Sequence, residues 1–306
     1  MSDAKVTVVG SFAVGLTVRA ERFPVKGETL IGRDFDQGPG GKGSNQAVQV
    51  ARLGGDVEFV GLIGEDSLGD VAVKLYAQEK VGAAHLMRTR ERNTGVGFII
   101  LNAEGDNFII LDPGANALFS AAHVDKAVAR IRESKVVITQ LEIPGETAAH
   151  AMRLGKHVGA ITILNPAPAA PFPADAFSSV DIATPNHTEL RVLLGRRPDD
   201  PADDKDLCNE LLKAGVGAVV LTRGEQGAMI VRSDGAKEIA ALKVKVVDTT
   251  GAGDAFSGTL AASLAEGLSI DDAAQRAAAA GALACTQLGV IPALPYARDV
   301  ESLLQK

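Results

Sequence analysis

Short apolar runs recur along this chain, separated by longer Ala/Leu-patterned stretches. Val6 to Val9, Val57 to Val60, Val136 to Thr139, Ile161 to Leu164, Ile182 to Thr184 and Val219 to Thr222 have the length and composition of buried strands. Between them, Val71 to Glu79, Val124 to Arg132 and Leu207 to Ala214 read as helices. Strands apolar throughout are covered on both sides, so the alternation predicts an α/β fold with a central, mostly parallel sheet and helices on both faces. Two regions break the rhythm. Residues 12–37 alternate apolar and charged positions, as in Leu16-Thr17-Val18-Arg19, and residues 95–111 do so around a polar Asn102 to Asn107 turn. Both read as antiparallel strands with one exposed face. This leaves residues 1–11, 38–94 and 112–306 as the α/β core. Arg196 to Lys205 reads as a solvated connection.

Two glycine-rich segments carry the candidate chemistry. After a β-branched run comes Val246-Val247-Asp248-Thr249-Thr250-Gly251-Ala252-Gly253-Asp254-Ala255-Phe256, leading into an Ala-rich helical stretch. Small residues let backbone approach a ligand, and the free N–H groups of a helix start attract an anion. Asp254 sets a carboxylate beside that anion site, either as a cap of the helix or as a catalytic group. Upstream lies Gly38-Pro39-Gly40-Gly41-Lys42-Gly43-Ser44-Asn45-Gln46-Ala47. It is not a P-loop, which needs Ser or Thr after the Lys where Gly43 stands. Glycines around one Lys, then Asn45 and a helix-like Ala47 to Leu53, suggest backbone wrapped round a polar small molecule. A solvated surface turn would carry charge where Asn45 and Gln46 stand.

Bulk properties narrow the class. The 306 residues, 46% of them hydrophobic, can bury a large core as one domain or two. A net charge of -7 without a Lys/Arg cluster offers no general attraction to nucleic acid or anionic membrane. Cys208 and Cys285 lie in no CxxC or metal-ligand spacing and read as reduced thiols. The start, Ser2-Asp3-Ala4-Lys5, lacks a long apolar segment, and no run reaches membrane-spanning length without charge. The expected compartment is the cytoplasm.

Together the motifs resemble the ribokinase family of sugar kinases, the PfkB carbohydrate kinases, over essentially the whole chain and in the family's order. Gly10-Ser11 closes the first strand, and Gly40-Gly41-Lys42-Gly43-Ser44-Asn45 resembles the sugar-binding turn. Asn165-Pro166-Ala167-Pro168 and Thr184-Pro185-Asn186-His187-Thr188-Glu189 resemble two mid-chain motifs. Thr222-Arg223-Gly224-Glu225-Gln226-Gly227 resembles the nucleotide loop, and Asp248 to Asp254 the anion hole with its base.

The resemblance implies a ribokinase-like fold in which residues 12–37 and 95–111 form a β-sheet lid over the sugar, a lid that often makes a homodimer contact. It implies ATP and Mg²⁺, with Asp254 as general base and the N–H groups of Gly251, Ala252 and Gly253 on the transferring phosphoryl group. Gly41, Lys42, Asn45 and Glu142 would contact the sugar. Asn186, Glu189, Thr222, Gly224, Gly227 and Gly253 would serve the nucleotide, the first two also Mg²⁺ through water. Asp248, Thr250, Ala284, Gln287 and Gly289 would supply oxygens to an activating K⁺, although Ala293 stands where a ligand hydroxyl is often found. Structural alternatives stay open: an Asx turn and helix-opening Glu for Asn186 and Glu189, a solvated charge for Glu142, a brace for Lys42, a strand-to-turn connection for Thr222, Gly224 and Gly227. His187 reads as a surface residue.

One departure bears on substrate. Ribokinases proper carry an Asn and an Asp where this chain has Ala13 and Gly15, so ribose is expected to be a weak substrate. The leading expectation is ATP-dependent phosphorylation of a hydroxymethyl group on a pentose or related small sugar. A nucleoside or sugar-phosphate kinase of the same fold is the alternative, with Arg19, Arg22 and Arg33 as candidate phosphate partners. A sensor that lost catalysis conflicts with the intact Gly251 to Asp254, and a dehydrogenase with the lack of GxGxxG after the first strand.

Overall fold

β-Branched runs with no polar face need neighbours on both sides, and every predicted strand finds them. The computed structural model describes residues 4–104 and 106–305. Met1 to Asp3, Gly105 of the predicted polar turn, and Lys306 lie outside the described residues. Seven strands run parallel in the order β5 (Gly82–Thr89), β4 (Asp56–Gly64), β1 (Lys5–Val9), β8 (Val136–Thr139), β9 (Ile161–Leu164), β10 (Ile182–Ala183) and β11 (Ala218–Thr222). β12 (Ala228–Arg232) and β13 (Gly235–Ile239) extend that edge as an antiparallel hairpin.

Successive strand residues point to opposite faces, so each buried strand feeds two cores. Val8, Ile138 and Ile163 join a cluster with Phe256 and Leu260 of the helix Ala252–Ala265 and with Ala277 of the helix Ile270–Ala284. Val9, Val137 and Leu164 join the other, with Met152 of the helix Gly145–His157 and Leu211 of the helix Asp204–Lys213.

A second sheet, ordered β3-β2-β6-β7, contains β2 (Ala13–Arg19), β3 (Arg33–Gly40), β6 (Gly95–Leu101) and β7 (Asn107–Asp112). Both predicted segments contribute an antiparallel pair, but β2 and β6 join them in parallel, which corrects the all-antiparallel expectation. The chain leaves the second sheet after β3 and returns about fifty residues later, so the joining strands need not be a hairpin. β3 also runs on to Gly40, which pairs with Ala13, so residues 38–40 belong to this sheet and not to the core.

Other boundaries moved too. The helix expected over Val124 to Arg132 is two short ones, Ala121–Asp125 and Val128–Glu133. The β-branched run before Asp248 forms no strand: Val246 and Val247 are 59% and 55% exposed. β Propensity without a partner edge does not make a ladder.

Candidate active site

The glycines upstream of the first long helix have a packing task. Gly41 holds φ 88°, and a Cβ there would lie 2.7 Å from the Ala13 nitrogen. A Cβ on Gly43 would lie 2.6 Å from the Ser11 nitrogen. Their absence lets the helix Lys42–Arg52 press its first turn onto the link between β1 and β2. The helix therefore starts at Lys42, earlier than the expected Ala47, and Asn45 and Gln46 sit in its first turn.

Both reach Asp254, which is 4% exposed. Asn45 Nδ2 donates to Asp254 Oδ2 at 2.8 Å, and Gln46 Nε2 to Asp254 Oδ1 at 3.1 Å. Gln46 Nε2 also donates to Asn165 Oδ1 (3.0 Å), while Gln46 Oε1 accepts from Gln140 Nε2 (2.6 Å). Asn165 in turn donates to the Thr184 carbonyl at 3.0 Å. Asp254 is thus aimed by amides anchored at the ends of β8, β9 and β10. Burial pushes its carboxyl above the usual range, against the pull of Lys42 and the amide donor of Asn45; Glu142 adds to the push and Gln46 opposes it.

Glu142 is no solvated loop charge. Its Oε2 accepts from Ser11 Oγ (2.6 Å) and from the Lys42 backbone N–H (2.8 Å). Burial by itself lowers the Lys42 pKa, but the carboxylates of Asp254, Glu142 and Glu189 outweigh it and leave the ammonium above its ordinary value. Burial likewise raises Glu189, against the Asn186 N–H and Lys42, with Asp254 adding to the rise. The Lys42 ammonium therefore lies within electrostatic reach of three carboxylates.

The turn before the helix Ala252–Ala265 is anion-ready. Gly251, its N-cap, has φ 83°, the left-handed region that suits glycine. Among the described residues, no protein acceptor is recorded for the N–H groups of Gly251, Gly253 and Asp254. Ala252 differs: its N–H donates to the Thr249 carbonyl at 3.3 Å. Asp248 shapes this turn. Its Oδ1 accepts from the Thr250 N–H (2.9 Å) and hydroxyl (2.7 Å), and its Oδ2 from the Gly289 N–H (3.1 Å). Burial raises the Asp248 carboxyl, yet these donors hold it below the usual range. The Cys285 carbonyl accepts from the N–H groups of Val247 and Asp248, so the segment around Ala284, Gln287 and Gly289 lies beside Asp248 and Thr250.

Asn186 and Glu189 cap the helix His187–Leu193 reciprocally, each side chain taking the other's backbone N–H at 2.9 Å. The capping alternative is thus realised, and among the described residues it leaves Glu189 Oε1 without a protein partner. Thr222 bridges to Asn186 and bonds the Pro185 carbonyl, joining the two predicted nucleotide segments. Thr184 Oγ1 lies 3.1 Å from Ser257 Oγ, which ties them to the Asp254 helix. Gly224 (φ 56°) is open, whereas a Cβ on Gly227 would strike the Ile239 carbonyl at 2.1 Å, so Gly227 also serves hairpin packing. His187 pairs with Asp204 at 2.5 Å on the surface.

Sequence reasoning missed Gln140 as part of this site and placed Ser11, Gln46 and Asn165 only in motifs, without a role. The available signal was uncharged amides in a helix's first turn and at strand ends, where solvated positions would carry charge.

Comparison with known proteins agrees with this chemistry. The sequence matches the pfkB family carbohydrate kinases over residues 3–297. It is 33% identical to the ribokinase of Haemophilus influenzae over 98% of each chain, and 36% identical to that of Mus musculus over 97% of this chain and 94% of the mouse protein. The structure of Arabidopsis thaliana ribokinase complexed with ribose and ATP superposes with a TM-score of 0.93 at 30% identity, covering 100% of both chains. A ribokinase-like fold, a glycine-rich helix start and a buried, amide-anchored carboxylate thus coincide with similarity over nearly the full length: the chain belongs to the pfkB family of carbohydrate kinases.

Proposed function

We propose that this enzyme is an ATP-dependent kinase that phosphorylates the hydroxymethyl group of a pentose or related small sugar. The observation that carries the reading is Asp254, a buried carboxylate in the same helical turn as the unpartnered N–H groups of Gly251 and Gly253. Asp254 accepts the proton of the sugar hydroxyl as that oxygen bonds to the γ-phosphorus. The bond from the γ-phosphorus to the bridging oxygen breaks, and ADP carries that oxygen away. The N–H groups of Gly251 and Gly253 stabilise the equatorial oxygens, and preorganised donors of this kind supply much of such catalysis. The Ala252 N–H contributes after exchanging its Thr249 carbonyl for phosphate.

Acceptor binding falls to Gly41, Lys42, Asn45 and Glu142. Asn45 Oδ1 is buried with no partner among the described residues, an acceptor waiting for a sugar hydroxyl. Thr222, Gly224 and Gly227 line the nucleotide side. Asn186 and Glu189 would hold Mg²⁺ through water, and Glu189 Oε1 fits that task; the ion, when bound, neutralises phosphate charge. A continuous assay of ADP release across pentoses, deoxypentoses, hexoses, polyols and nucleosides tests the function, and no sugar-dependent release from any of them would refute it.

A potassium site beside the anion turn fits the oxygens present. The last carbonyls of the helix Ile270–Ala284 carry its negative dipole end, and Asp248 and Thr250 face the same segment. Exchanging Na⁺ for K⁺ at constant ionic strength is expected to raise turnover. Equal rates would assign the turn's shape to the Asp248 hydrogen bonds alone.

The second sheet serves as lid, and its outer face fits a homodimer. Phe98, Phe108 and Ile110 are 49%, 59% and 65% exposed on one face, a contiguous apolar surface of the kind a partner covers. Light scattering should give a dimer mass for the native chain and a monomer mass for Phe98→Asp; an unchanged mass would remove the lid from the interface. The free thiols of Cys208 and Cys285 suit the cytoplasm.

A further inference from the structure

The helix Lys42–Arg52 is engaged at both ends. Its first turn aims Asn45 and Gln46 at Asp254, and its last residue grips a segment near the C-terminus. Arg52 Nη1 donates to the carbonyls of Ile291 (2.8 Å) and Leu294 (2.6 Å). Its Nε and Nη2 donate to Glu79 Oε2 (2.9 Å) and Oε1 (2.6 Å), and the guanidinium lies 4.7 Å over the Tyr296 ring. The Arg52 side chain is only 7% exposed. Gln49, one turn earlier, adds a second grip: its Nε2 donates to the Pro295 carbonyl (3.2 Å) and to Thr259 Oγ1 (3.1 Å). An ion pair with Glu79 would need only a cation. A planar fork that also holds two main-chain carbonyls fixes where a segment lies.

That segment backs the anion turn. The helical turn Val290–Ala293 ends at once, so its last carbonyls need donors from elsewhere, and Arg52 supplies them. Just before it, the Gly289 N–H donates to Asp248 Oδ2, the carboxylate that shapes the turn at Thr250. Val290 packs against Gly251, since a Cβ built on Gly251 would lie 2.6 Å from Val290 Cγ1. Thr259, the other partner of Gln49, belongs to the helix Ala252–Ala265 that carries Asp254. One helix thus touches the base through its first turn and the wall of the anion turn through its last. Phosphoryl transfer depends on the mutual placement of those two parts.

Resting on the reading that the N–H groups of Gly251 and Gly253 hold the transferring phosphoryl group, we propose that Arg52, seconded by Gln49, is a positioning residue for the reaction. It touches neither substrate. It holds Ile291 to Pro295 so that Gly289 and Val290 set the anion turn in register with Asp254.

The test uses Arg52→Lys, which keeps a cation beside Glu79 but lacks the fork. With ATP and the best acceptor of the ADP-release screen, kcat should fall about ten-fold while both KM values stay within about two-fold, because the displaced donors act in the transition state. Affinity for ADP with aluminium fluoride, an imitation of the transferring group, should fall by a similar factor in the presence of acceptor, and affinity for ADP alone should not change. Gln49→Met removes the Pro295 grip without touching an ion pair and should lower kcat in the same direction. Glu79→Gln is the control: it weakens a largely buried pair and lowers the thermal midpoint, yet leaves both carbonyls on Arg52, so kcat stays within about two-fold of native. Native kcat in Arg52→Lys and Gln49→Met overturns the proposal and leaves the kinase reading intact. So does a loss of kcat in Glu79→Gln equal to theirs, which would make the cluster a matter of stability alone. No acceptor-dependent turnover by the native chain overturns both.

Discussion

Asp254→Asn should lower kcat by roughly a hundred-fold or more while changing ATP affinity no more than a few-fold. Asn matches the carboxylate in size but cannot take the hydroxyl proton. The loss is one of chemistry and not of folding, because burial already raises the Asp254 carboxyl and a neutral side chain is less costly there. By linkage, a carboxyl raised on folding favours the fold at acid pH and loses that contribution as pH rises through its folded pKa. The variant should therefore keep its thermal midpoint near neutral pH. The same shift sets the sign of the rate profile: kcat/KM falls as pH drops through the raised pKa, since only the ionised form accepts a proton. Near-normal turnover by Asp254→Asn in steady-state assays would dismiss Asp254 as base.

Gln46→Leu is the second change with a large expected effect. It strips partners from three buried groups at once: Asp254 Oδ1, Asn165 Oδ1 and Gln140 Nε2. Each such loss costs about 1–3 kcal/mol, so the thermal midpoint should fall by several degrees. A purely structural part would stop there. Gln46 also donates to the ionised form of Asp254, and removing a donor to the charged form raises a pKa. The acid limb of kcat/KM should accordingly move to higher pH, with kcat down about ten- to a hundred-fold. Calorimetry with parallel pH–rate profiles separates the two effects. A lower midpoint with an unshifted acid limb and native kcat would reduce Gln46 to a packing residue.

Much of the candidate site is legible in the sequence. Asp254 stands out because a glycine-rich turn opening a helix is a local anion-binding pattern, and among the described residues the N–H groups of Gly251 and Gly253 have no protein partners. Lys42, Asn45 and Glu142 were named by resemblance, and the structure gathers them around Asp254 or its neighbours. The glycines were read less well. Gly41, Gly43 and Gly227 seemed to make room for ligands, yet each also spares a backbone collision that only packing reveals.

What the sequence determined alone was whatever repeats within a few residues: strand and helix character, the two-sided burial of a parallel sheet, and the glycine-rich helix starts. These follow from side-chain shape and periodicity, which act locally. Only the tertiary structure decided which distant groups meet. Gln46 and Asp254 are 208 positions apart, and Gln46 and Asn165 are 119 apart. The parallel pairing of β2 with β6 and its register bring Ala13 and Gly15 beside Gly95 and Gly97. A one-residue slip would turn those residues to the other face, so the glycine-rich surface of the second sheet belongs to the register and to no single segment. Register is set by strand order and by the turns and crossovers between strands, which no local pattern along the chain specifies.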